Sequence, residues 1–194
     1  MKKCQAPTPY LIAHRGFSGS FPENTMASFE AAVTAGAEML ELDIQLSKDK
    51  KIFVFHDETL DRTTSGSGRP SALTLEELQQ LDCGSWFGSQ FSAEKIPTLA
   101  KVLQAFSLQI RINIEVKSEA YDAALSPLNI TTQLVELLVA LKVEKRVIVS
   151  SFEPEILKQV HSLNAAIALA LLTETNLDQR QLDLLAEIKA TSWN

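Results

Sequence analysis

The chain has 194 residues, 45% of them hydrophobic and 22% charged, with a formal net charge of −6. That length supports one well-buried domain of ordinary globular composition. The acidic balance argues against a general nucleic-acid binder, whose surface must be basic. It leaves a small anionic substrate open, because local charge governs that.

Two cysteines, Cys4 and Cys83, make neither a disulfide framework nor a zinc spacing. No apolar stretch precedes Cys4, so M-K-K-C-Q-A-P reads as neither a secretory nor a lipid-attachment signal. The longest apolar run, 165–172, is far too short to span a bilayer. The expectation is a cytoplasmic protein with no membrane insertion; its oligomeric state is left open.

In chain order, residues 1–9 read as a tail and 10–13 as a first strand ending at His14. A loop carries Arg15 and Gly16. Asn24 or Thr25 caps a helix running to about Ala35, and Gly36 stops it. Met26, Phe29, Ala32 and Val33 form that helix's apolar face. A strand at 39–46 is followed by K-D-K-K and a short strand ending at His56. So few residues cannot hold a crossover helix, which leaves a hairpin or a tight irregular link.

Residues 58–97 break the strand–helix rhythm and read as a small insertion within a single domain covering 1–194. Thr74 and Glu77 fit a capping box inside it. Regular alternation follows: a helix at 99–106, a strand at 110–116, a helix at 131–141 and a strand at 147–150. Ser151 is expected to cap the next helix, with Pro154 in its first turn. A strand at 166–172, a helix capped by Asp178 and the start of another strand at the C-terminus complete the chain.

Glu41 and Asp43 are two apart, so on a strand both carboxylates share one face while Leu40, Leu42 and Ile44 take the other. I-N-I-E-V-K repeats the pattern with Glu115 and Lys117. Polar alternation of this kind would be buried at a cost in a doubly wound sheet. In a TIM barrel it turns inward, toward the end where ligands bind, so a barrel is the preferred architecture. His14, Arg15 and His56 lie at strand ends beside these carboxylates. Three hard oxygen ligands suit Mg²⁺ or Ca²⁺. An arginine suits a phosphate oxygen, and imidazoles suit acid–base work near neutral pH. The set points to metal-assisted chemistry on a phosphate ester.

H-R-G at 14–16, P-E-N-T at 22–25, E-L-D at 41–43, H-D at 56–57 and E-V-K at 115–117, in that order, resemble glycerophosphodiester phosphodiesterases. R-T-T at 62–64, G-S-W-F at 84–87, I-P-T-L at 96–99 and S-S-F at 150–152 extend the resemblance along the chain. It implies a TIM (β/α)8 barrel with an inserted segment, catalytic His14 and His56, metal ligands Glu41, Asp43 and Glu115, and phosphate contacts Arg15 and Lys117. It implies a small-molecule glycerophosphodiester substrate, releasing sn-glycerol 3-phosphate and an alcohol. The family pattern runs on into further strands, and a complete barrel has about 250 residues. The expectation is therefore a barrel truncated at its C-terminus. The rival readings are a related barrel phosphodiesterase (a phosphatidylinositol-specific phospholipase C or a sphingomyelinase D-like enzyme) and a non-catalytic module that binds phosphate esters.

Other residues admit bland readings. Glu23 and Asn24 read as loop and cap, and Lys117 admits a solvated rim position. Asp57 either orients His56 or caps the turn. Arg62 either reaches a phosphate or ties down the insertion. Cys83 reads as a packed thiol and His161 as a surface residue. Trp86, Phe87 and Phe152 divide evenly between pocket wall and core.

Overall fold

The computed structural model describes residues 10–122, 129–174 and 176–193. The tail at 1–9, with Cys4, lies outside them. Seven strands and six α-helices alternate along the described residues: β1 (Ile12–Ala13), α1 (Met26–Thr34), β2 (Met39–Leu46), β3 (Ile52–Val54), α2 (Leu75–Gln80), α3 (Leu99–Phe106), β4 (Arg111–Val116), α4 (Ile130–Leu141), β5 (Val147–Ser151), α5 (Pro154–Leu163), β6 (Ala168–Leu172), α6 (Gln179–Glu187) and β7 (Thr191–Trp193).

Helix starts follow the local chemistry. Thr25 caps α1 in a reciprocal arrangement with Ser28, Thr74 caps α2 with Glu77, and Asp178 caps α6 with Gln181. Thr98 and Asn129 cap α3 and α4. One expected cap is corrected. Helix α5 is capped by Glu153, not Ser151. Ser151 is still in the extended backbone of β5, where its hydroxyl donates to the Val116 carbonyl at 2.8 Å and accepts from the Glu153 amide at 3.1 Å. With Pro154 fixing the first helical residue, the cap falls one position before it.

The strands pair in the order β1-β2-β4-β5-β6-β7, every pair parallel, and β3 is antiparallel to β2. Of the two links open after β2, the structure has the hairpin, with Ile44 opposite Val54 and Leu46 opposite Ile52. Lys50 takes a φ of 58° in its turn. Each parallel pair is joined through a helix, as such crossovers require.

Alternation then sorts the two faces of the sheet. Leu40, Leu42, Ile44, Ile112, Ile114, Val149 and Leu171 are fully buried in one cluster with Phe29, Leu103, Leu134, Leu138 and Val160 from the helices. Each such side chain contributes about 1.5–3 kcal/mol of transfer free energy. The opposite face carries Glu41, Asp43, Gln45, Asn113, Glu115 and Ser150. Helices on one face and polar side chains on the other make this a TIM-barrel-type sheet, open between β1 and β7 among the described residues. Residues 58–97 hold only short helices and pack through Leu60, Leu78, Cys83 and Ile96 onto Phe53 and Phe55. Burial pushes the Cys83 thiol up to about 12, so it is a packed, inert group. No helix among the described residues is long and apolar enough to cross a membrane.

Candidate active site

The first wall of the site is the loop leaving β1. Arg15 and Gly16 adopt φ values of 56° and 80°, in the left-handed region. A Cβ on Gly16 would meet the Ser28 Cβ at 2.7 Å, so only glycine lets the loop settle on the first turn of α1. The loop is then pinned by the Phe17 amide donating to the Ser28 carbonyl at 2.9 Å. The consequence is a backbone donor aimed into the site: the Arg15 amide meets Glu41 Oε2 at 2.9 Å. Asn24, also left-handed at φ 56°, donates its amide to the Arg15 carbonyl at 3.0 Å and its Nδ2 to Asp43 Oδ2 at 2.9 Å. Asn24 therefore holds a candidate ligand, and Thr25 is the cap.

The second element is a carboxylate cluster. Asp43 on β2 and Glu115 on β4 are register partners, and Glu41 lies one turn of the pleat below Asp43. One oxygen from each of the three lies within 4.8 Å of the others. Burial first, and then the Asp43 charge, raise the carboxyls of both Glu41 and Glu115 above their ordinary range. Glu41 Oε1 is buried without a hydrogen-bond partner, as are Asn113 Oδ1 and Ser150 Oγ on the same face. Three mutually repelling carboxylates with an orphaned buried oxygen fit an oxygen-loving divalent cation.

Cationic side chains flank the cluster. Lys117 Nζ lies 3.0 Å from Glu115 Oε1 and 3.9 Å from Asp43 Oδ1, so it faces the site and is not a solvated rim residue. Burial works against its charge, but Glu115 outweighs that and holds its pKa above the ordinary lysine value. Arg15 Nε lies 3.6 Å from Asp43 Oδ2, buried and without a hydrogen-bond partner, while its Nη1 donates to Glu23 Oε1 at 3.0 Å.

The histidines stand at the rim. His14 Nε2 lies 3.9 Å from Glu41 Oε2, and the side chain is 69% exposed. Partial burial and then the Arg15 charge lower its pKa, favouring neutral imidazole. His56 follows β3, where the Phe55 amide donates to the Asp43 carbonyl at 3.0 Å. Gln45 Nε2 donates to the carbonyls of Phe55, His56 and Asp57 at 2.9–3.2 Å, fixing the segment. Asp57 faces the histidine, with Oδ1 at 2.7 Å from His56 Nδ1.

Two neighbours, Glu23 and Arg62, join the site through carboxylate contacts. Glu23 accepts from both Arg15 and Arg62, and Arg62 also holds Asp57. Arg62 thus faces carboxylates and its guanidinium sits 6.0 Å from the Trp86 ring. Trp86 and Phe152 are 41% and 47% exposed, which removes them from the core. His161 lies in the last turn of α5, far from these groups in sequence. A cavity of about 460 Å³ lined by Phe17, Phe21, Ala27 and Ala31 contains none of these polar groups.

A family model described as the glycerophosphoryl diester phosphodiesterase family matches residues 14–193. YhdW of Bacillus subtilis is 44% identical over 167 residues, covering 86% of this chain and 67% of that protein. A glycerophosphodiester phosphodiesterase of Caldanaerobacter subterraneus is 42% identical over 168 residues, covering 86% and 68%. Among solved structures, an Oleispira antarctica phosphodiesterase in complex with the product sn-glycerol-3-phosphate superposes with a TM-score of 0.81 at 33% identity, covering 94% of this chain and 72% of that one. The chain spans about two thirds of the length of the curated relatives it matches. With nearly the whole chain matched, and H-R-G, P-E-N-T, E-L-D, H-D and E-V-K brought together around the carboxylates, this chain belongs to the glycerophosphoryl diester phosphodiesterase family.

Proposed function

We propose that this chain hydrolyses glycerophosphodiesters to sn-glycerol 3-phosphate and an alcohol. The observation that carries the reading is the approach of Glu41, Asp43 and Glu115 to within 4.8 Å, flanked by Arg15 and Lys117 at the strand ends that also bear both histidines. Family membership and a relative bound to sn-glycerol-3-phosphate support the substrate class.

Glu41, Asp43 and Glu115 would hold a divalent cation, Mg²⁺ or Ca²⁺, which when bound polarises phosphoryl oxygens and offsets their charge. The unpartnered Nε of Arg15 and the ammonium of Lys117 are placed to take further phosphoryl oxygens. His14, kept neutral, serves as proton acceptor. His56, its Nδ1 engaged by Asp57, exchanges a proton through Nε2.

The test is release of glycerol 3-phosphate from glycerophosphocholine, measured with Mg²⁺, Ca²⁺ or EDTA, beside His14→Ala and intact phospholipid. Cation-dependent turnover of the soluble diester, lost in the variant, is expected. Turnover in EDTA, or release from intact lipid alone, would overturn the reading.

A further inference from the structure

The side chain that ties the segment 58–97 to the rim of the site is Arg62. Its Nε and Nη2 donate to Asp57 Oδ2 and Oδ1 at 2.6 and 2.8 Å. Its Nη1 and Nη2 donate to Glu23 Oε2 and Oε1 at 2.8 and 2.7 Å. One planar guanidinium therefore grips two carboxylates by paired bonds, a geometry lysine cannot reproduce. Asp57 Oδ1 passes the contact to His56 Nδ1 at 2.7 Å. Glu23 is itself anchored by Arg15 Nη1 at 3.0 Å, which fixes the far end of the grip.

The arrangement is poorly explained as a stabilising ion pair. The Arg62 side chain is 47% exposed, and pairs at that exposure add little to stability. Its partners are the better buried members, with Glu23 at 13% and Asp57 at 20%. Without Arg62, carboxylate oxygens of these two residues would face each other within 4.8 Å. Burial works to raise the Asp57 carboxyl, but the bonds from Arg62 and then His56 outweigh it and hold it down to about 2. The carboxylate behind His56 is thus kept charged and kept in one orientation by a residue that does not touch the histidine.

We infer that Arg62 is a positioning residue for His56: through Asp57 it fixes the imidazole with its proton on Nδ1 and its Nε2 free toward the mouth of the site. This rests on the reading of His56 as a proton-transfer group. Arg62→Gln removes the double grip and the charge between the two carboxylates. Asp57 then rotates or turns toward solvent, and the imidazole samples both tautomers.

The experiment has two arms. In the first, two-bond ¹⁵N–¹H spectra of histidine-labelled protein are recorded at a pH well above the histidine range. With three histidines in the chain, the His56→Ala variant assigns the signal. Wild type is expected to show His56 with an unprotonated Nε2, and Arg62→Gln a mixture of tautomers. In the second arm, kcat/KM for glycerophosphocholine is measured. Arg62→Gln is expected to lose about 10- to 100-fold, the usual effect of removing a group that orients a functional side chain. The loss should lie mainly in kcat. Arg62→Lys, which keeps charge but not the fork, should recover only part of it. In an Asp57→Asn background the same Arg62→Gln change should cost less than about threefold, because the two residues act as a unit. An unchanged His56 tautomer in Arg62→Gln, or an equal loss in both backgrounds, overturns the inference. The spectra read the Arg62–His56 link without turnover, whereas an inactive wild type or an active His56→Ala variant would count against the proposed function instead.

Discussion

Asp43 and Glu115 are register partners on adjacent parallel strands, so their carboxylates leave the sheet side by side from the same face. Neighbouring strands lie only about 4.8 Å apart, and that spacing sets the separation of the two charges. The sheet therefore builds the candidate cation site from two strands that are distant in sequence, and Glu41 adds a third oxygen from the row below.

The first prediction concerns that repulsion. Ca²⁺ or Mg²⁺ should raise the thermal midpoint of the chain, and EDTA should reverse the shift. Glu41→Gln should behave in the opposite way without the ion. The amide still accepts from the Arg15 amide, but it carries no charge into a buried site. The cation-free variant should gain on the order of 1 kcal/mol while losing most of the ion-induced shift. A cation-free Glu41→Gln that melts below wild type would show that Glu41 is satisfied by contacts other than a cation.

The second prediction is a pH dependence with two limbs. Glu41 and Glu115 have folded pKa values raised by burial, so between the ordinary carboxylate value and the raised one the folded chain binds more protons than the unfolded chain. Stability of the cation-free protein should therefore fall as pH rises through that window. A saturating cation should flatten the limb. Asp57 lies on the other side: its folded value of about 2 is below the unfolded 3.8, so its contribution is present above the unfolded value and lost as pH falls toward 2. Denaturant midpoints measured across pH, with and without Ca²⁺, check both signs.

The third prediction separates two glycines that share a positive φ. Gly36 ends α1 at φ 84° with open space around its Cα. Its change to alanine should cost about 1 kcal/mol for the backbone alone. Gly16, at φ 80°, adds a clash with Ser28 backbone and side-chain atoms, including the Ser28 Cβ at 2.7 Å. Gly16→Ala should cost about 2–4 kcal/mol and should displace the Arg15 amide from Glu41. Equal destabilisation of the two variants in urea would mean that the loop yields freely around Ser28.

Much of this was legible because it is periodic. The two-residue spacing of Glu41 and Asp43 fixed a shared face, and the repeat at Glu115 and Lys117 placed a second strand beside it. Thr74 with Glu77, and Asp178 before its helix, announced helix starts by local chemistry. Gln45 continues the same alternation on β2, which puts its amide within reach of the Phe55–Asp57 carbonyls. The role of Arg62 carries no such signal. Its grip on Glu23 spans 39 residues and depends on how the segment 58–97 folds back over the rim. Asn24 and Ser151 carry no periodic signal of their own roles for another reason. Either can cap a helix, and only the local backbone (left-handed at Asn24, still extended at Ser151) frees the side chain for a tertiary bond.

The last prediction sets Lys117 against the cation. Its ammonium lies 3.0 Å from Glu115 Oε1 and 3.9 Å from Asp43 Oδ1, so it partly neutralises two of the three ligands that an ion would use. A bound cation and the lysine then compete for the same carboxylate charge. Lys117→Met should therefore bind Ca²⁺ more tightly, by roughly tenfold, a fraction of the roughly 4 kcal/mol that two unit charges 4 Å apart exchange near a protein surface. Turnover should move the other way, falling about 10²- to 10³-fold, because a positive charge aimed at the phosphoryl oxygens is gone. Calorimetric titration and the glycerol 3-phosphate assay, run on one preparation, read the two effects separately. Weaker Ca²⁺ binding in the variant would mean that the lysine organises the carboxylates for the ion more than it competes with it, and the Lys117–Glu115 bond would then be part of the cation site's scaffold.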